Sequence, residues 1–147
     1  MMKKIYMKLL KPLTHSFTKL HIWIYEKYDG KYLAEYKGLP FCLIRIKGRK
    51  SGLIRTIPLL TIPKNGDYIL VASNWGSLNH PLWYLNLAEE PTFEMKIGPK
   101  YFQMKAEEIF SEEKKELWPK IVDAYPDYQR YKDRTERDIP VLVCKVI

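Results

Sequence analysis

The sequence predicts a mainly β protein with flanking helices, an α+β arrangement built on a small barrel. Three observations carry this. About six short apolar runs, rich in β-branched residues, are separated by Gly, Pro and Asn-Gly turn signals. Helical periodicity appears in only a few of the gaps. With 147 residues, 46% hydrophobic and 29% charged, the chain is long enough for one sizeable core and too apolar for wholesale disorder.

In chain order, residues from about Leu13 to Tyr28 have helical spacing. Leu13, Phe17, Leu20 and Ile24 form one stripe, Trp23 and Tyr28 lie beside it, and Pro12 suits a helix start. Asp29-Gly30 ends it. Phe41 to Lys47 reads as a strand, Gly48-Arg49-Lys50-Ser51-Gly52 as a tight basic turn, and Ile54 to Ile62 as the next strand. Asn65-Gly66 closes a hairpin onto a strand from Asp67 to Ser73. A loop follows, then a helix from Pro81 to Glu90, capped by Asn79 or His80 and stopped by Pro91. Thr92–Ile97 and Tyr101–Phe110 form another hairpin. Ser111 is expected to cap a helix whose first turn holds Glu112 and Glu113, with a kink at Pro119. A tyrosine-rich segment, Tyr125 to Tyr131, precedes a last strand from Ile139 to Ile147. The basic lead-in divides the chain into a helical segment, 1–38, and a barrel domain, 39–147.

The net charge of +8 is uneven: residues 1–25 hold Lys3, Lys4, Lys8, Lys11 and Lys19 and no acid. That favours an anionic partner, either a small molecule or a lipid surface. Nucleic acid is not indicated, since zinc-finger spacing, an RNP-type aromatic motif and a helix-turn-helix pattern are all missing. No segment approaches the roughly 20 apolar residues of a membrane span, and Met1 to Leu10 is not a convincing signal peptide. The location implied is cytoplasmic, with peripheral contact at the inner face of the membrane open through residues 1–25. Cys42 and Cys144 read as reduced core thiols, and His15, His21 and His80 make no metal-ligand spacing.

Covalent chemistry has little support. There is no G-x-S-x-G elbow, no Walker A spacing, no G-x-G-x-x-G and no evident carboxylate pair. If the protein is an enzyme, a cofactor does the hard step. Two clusters could hold one. The turn of Arg49, Lys50 and Ser51, with Arg55 beyond it, presents charge and bare N–H groups to an anion. Tyr125, Tyr128 and Tyr131, spaced i, i+3, i+6, would project to one side of a helix. They are either core aromatics or a wall of phenols over a flat ligand. Asn86, in the middle of a predicted helix, bonds either a neighbouring loop or a ligand.

Taken in order, the blocks from residue 41 onward resemble one family. They are Gly48-Arg49-Lys50-Ser51-Gly52 with Arg55 and Pro58; Val71-Ala72-Ser73; Asn79 to Leu87; Leu117-Trp118-Pro119; Tyr125-Pro126-x-Tyr128-x-x-Tyr131; and Arg134-Thr135-x-Arg137-x-Ile139-Pro140-Val141. Together they are similar to the deazaflavin (F420)-dependent nitroreductases, the A group of the flavin/deazaflavin oxidoreductases. The resemblance implies a split β-barrel of the FMN-binding-like type and coenzyme F420 as cofactor, with FMN as the alternative. It implies hydride transfer to a quinone, an enone or a nitroaromatic acceptor; the rival is a non-catalytic carrier of F420, FMN or a lipid-like ligand. By the same resemblance Arg49, Lys50, Ser51 and Arg55 hold the anionic tail, and Pro58, Leu60 and Ala72 line the ring. Ser73 sits at the reactive edge, and Tyr125, Tyr128 and Tyr131 close the acceptor pocket. Where relatives carry Lys-Gly-Gly after the serine, this chain has Asn74-Trp75-Gly76. Asn74 and Trp75 are therefore expected at the cofactor in place of a cation and a glycine. A homodimer is compatible with this reading.

Overall fold

A computed structural model describes the backbone of residues 2–147 and the side chains of residues 15–147. The side chains of Lys3, Lys4, Lys8, Lys11, Pro12 and Leu13, on which part of the basic lead-in rests, lie outside the described residues. Helix α1 spans Met2–Lys27 and so begins well before the predicted start. Strands follow as β1 (Glu35–Tyr36), β2 (Leu39–Lys47), β3 (Ile54–Leu60), β4 (Ile62–Lys64) and β5 (Asp67–Val71). After a single 3-10 turn at Asn74–Gly76 come α2 (Leu82–Glu89), β6 (Thr92–Ile97), β7 (Lys100–Ile109), α3 (Ser111–Ala124), α4 (Asp127–Asp133) and β8 (Val141–Val146).

The strands make one curled antiparallel sheet in the order β1-β2-β6-β7-β8-β5-β4, with β3 also paired to β2. Side chains alternate across it with the period of two that a pleated strand imposes. Cys42, Ile44, Ile46, Leu70, Met104, Leu142 and Cys144 turn inward, where Trp83 and Leu87 of α2 meet them. Ile69, Val71, Ile109 and Val141 turn to the other face and pack on Leu117, Trp118 and Ile121 of α3 and on Tyr125 and Tyr128. This is the split-barrel arrangement. Both thiols are free and buried.

Several expectations are corrected. The predicted strand from Ile54 to Ile62 breaks at Thr61, which is fully buried. Its N–H bonds the Pro40 carbonyl at 3.0 Å and its hydroxyl bonds the Ile69 carbonyl at 3.1 Å, so the chain turns there from one neighbour to another. The cap of α2 is Pro81, not Asn79 or His80. The cap of α3 is Phe110, and Ser111 is its first residue, at φ 49°. Helix α3 runs from Ser111 to Ala124 with Pro119 inside it.

Of the predicted stripe on α1, Leu13 lies outside the described side chains, Ile24 is half-buried, and Phe17 and Leu20 face away from the core. Phe17 and Leu20 are 67% and 50% exposed, and Trp23 is 53% exposed. The helix docks instead through Tyr25, whose hydroxyl donates to the Phe41 carbonyl at 3.0 Å and accepts from the Gly98 N–H at 2.8 Å. The Lys96 ammonium, almost fully buried, meets Asp29 at 3.0 Å just beyond the helix.

Candidate functional site

The basic turn is built as the sequence implies. The Gly48 N–H bonds the Leu53 carbonyl and the Gly52 N–H bonds the Gly48 carbonyl, both at 2.8 Å. Gly52 takes φ 71°, which a side chain would resist. The Ser51 hydroxyl accepts from the Leu53 N–H at 3.2 Å and is thereby used inside the turn. Asn86, from α2, settles its open alternative: its carbonyl oxygen accepts the Arg49 N–H at 3.1 Å and Nη1 of the same residue at 3.3 Å. Buried in the middle of a helix, Asn86 is the strut that fixes the turn. Lys50 and Arg55 are exposed, and neither has an ion-pair partner among the described residues.

A cavity of about 650 Å³ opens beside β3. One wall is the run Ile57, Pro58, Leu59 and Leu60, with Leu70 and Val71 of β5 behind it. The other is Tyr125, Tyr128 and Tyr131. Tyr125 ends α3 in an extended conformation, and Tyr128 and Tyr131 follow on α4, with ring centroids 4.8 Å apart for the first pair and 6.2 Å for the second. Ser73, Asn74 and Trp75 complete the rim, with Thr18 of α1, Tyr36 and Phe41. Of the predicted site residues, Pro58, Leu60, Ser73, Asn74, Trp75 and the three tyrosines therefore meet at one cavity. Arg49, Lys50, Ser51 and Arg55 stand outside it, toward the start of β3. Ala72 is fully buried in the core behind the wall.

The core reading holds for two of the tyrosines. Tyr125 and Tyr128 are only 5% exposed and belong to the core around α3, yet they also line the cavity. Burial pushes both phenols up, with neighbouring Tyr131 adding to it. They stay protonated at neutral pH, so they can donate a hydrogen bond.

Sequence reasoning missed two groups. Asp127, at the cavity, is held by Lys37 at 2.9 Å and by Arg130 one helical turn on. Arg137 clamps the loop after β5. Nη2 donates to the Ser73 carbonyl at 2.6 Å, Nη1 to the Ala72 carbonyl at 3.2 Å, and Nε to the Ser77 carbonyl at 2.8 Å. Nη1 also lies 3.0 Å from Nδ1 of His80, whose pKa is lowered by burial and by this guanidinium. Arg137 stood in a motif, but no local signal showed that it reaches back to carbonyls.

Comparison with known proteins fits this geometry. The family model for F420H2-dependent quinone reductase matches residues 17–146. The chain belongs to that family. An F420H2-dependent quinone reductase of Mycobacterium tuberculosis is 34% identical over 130 residues, 85% of this chain and 87% of the relative. A second protein of that organism, provisionally named for the same activity, is 38% identical over 109 residues, 74% of this chain and 92% of its own length. Among solved structures, an F420-H2-dependent reductase is 38% identical with a TM-score of 0.66, covering 72% of this chain and 94% of that one. A domain-swapped dimer is 33% identical with a TM-score of 0.68, covering 84% and 97%. A heme binding protein from Mycobacterium smegmatis, 16% identical with a TM-score of 0.57, shares the fold alone.

Proposed function

We propose that this protein seats reduced F420 and passes its hydride to a quinone. The observation that carries the proposal is one cavity of about 650 Å³ lined by an apolar strand and three phenols, with Arg55 on the same strand and Lys50 in the turn before it, neither in an ion pair among the described residues. The donor set suits F420. Pro58 and Leu60 offer a flat apolar face for a ring. Arg55, three residues before Pro58 on β3 or about 10 Å away, and Lys50, with the N–H groups around Ser51 in the turn before the strand, offer charge to an anionic tail. Arg49 keeps that turn in place through Asn86. Ala72 supports the wall from behind, and Ser73 stands at the edge of the cavity.

When bound, reduced F420 supplies a hydride, and one further proton converts the quinone to a hydroquinone. The chain's own contribution is position and electrostatics. The neutral phenols of Tyr125, Tyr128 and Tyr131 can donate to a carbonyl oxygen as charge builds on it. An enone or a nitroaromatic compound would meet the same groups.

Fluorescence titration with F420 and FMN tests the cofactor, and turnover of reduced F420 by an added quinone tests the reaction. F420 binds more tightly than FMN, and reduced F420 is oxidised when the quinone is added. Equal or tighter binding of FMN sinks the cofactor assignment. Tight F420 binding without turnover leaves a carrier.

A second proposal concerns residues 1–25. We infer that they touch an anionic membrane, while residues 39–147 form the cofactor domain. No helix among the described residues is long and apolar enough to cross a membrane. The exposed Phe17, Leu20 and Trp23, beside Lys19 and Lys27, suit a helix lying on its surface. A second copy of the chain is the competing occupant of that face.

A further inference from the structure

Three consecutive residues after β5 are left-handed: Asn74 at φ 45°, Trp75 at φ 52° and Gly76 at φ 75°. Gly76 has a packing reason, because a Cβ there would come 2.5 Å from the Tyr131 carbonyl oxygen. Asparagine tolerates this region; a bulky tryptophan resists it. Such strain persists only where the surroundings impose it. Here they do. The Gly76 N–H bonds the Ser73 carbonyl at 2.9 Å, and the Ser77 N–H bonds the Asn74 carbonyl at 3.0 Å. The Asn74 amide donates to the Asn79 carbonyl at 2.9 Å. Arg134 reaches the Trp75 carbonyl, and Arg137 holds the loop at Ser73 and Ser77.

The backbone is thus fixed whatever residue 75 carries, and a glycine would sit there with less strain. The indole gains little from the fold. It is 74% exposed, and among the described residues it has no ring contact and no hydrogen bond. Yet it lines the cavity. Its place in the cavity is also defined. The loop packs on α4, with Gly76 against Tyr131 and the Arg134 guanidinium 5.6 Å above the Tyr131 ring. Trp75 therefore belongs to the tyrosine end and not to the basic turn, while the Asn74 amide is used within the loop, on Ser77 and Asn79.

We propose that Trp75 is a specificity-determining residue, whose indole stacks on a planar acceptor at the tyrosine end of the cavity. This rests on the acceptor reading above and narrows it. Quinones and nitroaromatic compounds present a flat face to an indole, and a puckered cyclic enone does not.

The test compares the parent protein with Trp75→Gly and Trp75→Phe, using a naphthoquinone and a cyclohexenone as acceptors of hydride from reduced F420. Trp75→Gly lowers the naphthoquinone-to-cyclohexenone ratio of kcat/KM roughly tenfold, through the quinone KM, while Trp75→Phe stays within about threefold of the parent. Trp75→Gly melts no lower than the parent. Independently of turnover, naphthoquinone added without cofactor quenches more tryptophan emission in the parent than in Trp75→Phe. An unchanged acceptor ratio in Trp75→Gly overturns the proposal. So does a loss explained by weaker F420 binding, which would move Trp75 to the cofactor side. If the parent reduces no quinone but the Trp75-dependent quench is present, the reductase reading fails and the stacking role stands.

Discussion

Tyr128 shows how one side chain can serve the core and the cavity together. Its ring packs around α3 while one surface faces the opening beside β3. Burial first, and Tyr131 second, raise its pKa above the ordinary phenol value. The sign follows directly. A phenol raised in the folded state supports folding below its unfolded value, near 10, and withdraws that support as pH climbs through the folded value. Turnover should accordingly be flat between about pH 6 and 9, with alkaline loss of stability beginning only above about pH 10. Tyr128→Phe should keep F420 affinity within about twofold and lower kcat by roughly tenfold if the hydroxyl meets the acceptor. A fall in melting temperature with unchanged turnover per folded molecule would make it a core residue alone. The i, i+3 spacing of Tyr128 and Tyr131 was legible as one side of a helix, but Tyr125 joins them from the extended end of α3, which the spacing did not show. The left-handed backbone at Trp75 was not legible. A tryptophan signals no positive φ, and the force that imposes one comes from Arg134 and Arg137, remote in the chain.

At the scale of elements, the basic turn is an extension of α2 as much as of β2 and β3. Asn86 Oδ1 accepts two bonds from Arg49, and the part-buried Arg49 N–H would be left without its acceptor if that oxygen were removed. Asn86→Ala should therefore weaken F420 binding several-fold without touching the ligand, and should also lower the melting temperature. Lys50→Ala and Arg55→Ala should each weaken binding by roughly tenfold and leave the melting temperature within about a degree, because both side chains are exposed. Calorimetric titration beside thermal melts separates the two patterns. If Lys50→Ala and Arg55→Ala both bind F420 as the parent does, the anionic tail lies elsewhere. Most strands were readable from apolar runs and from Asn65-Gly66, whose residues take φ 51° and 85°. The break at Thr61 was not, since a buried threonine in an apolar run looks like strand. Ser111 misled because a serine before two glutamates has the composition of a cap without its geometry.

At the scale of the whole molecule, charge and shape are unevenly distributed. The chain carries +8, and its acid-free first 25 residues form most of α1, which docks through Tyr25 and leaves Phe17, Leu20 and Trp23 in solvent. Sedimentation with anionic and neutral vesicles, for the full chain and for one lacking residues 1–25, examines the membrane proposal. Only the full chain should pellet, only with anionic vesicles, and salt should release it, each lysine near such a surface being worth about 1 kcal/mol. If the full chain stays in the supernatant at low salt and elutes as a dimer, a second copy covers the helix. The loop that carries Trp75 has a consequence in time as well as in space. Its carbonyls are held by Arg137 from 60 to 65 positions further along the chain. During synthesis the ribosome therefore releases the rim of the cavity long before it releases the clamp. The nascent chain can pair its early strands while residues 73–77 still lack their anchor, and the mouth becomes defined only as the final strand arrives.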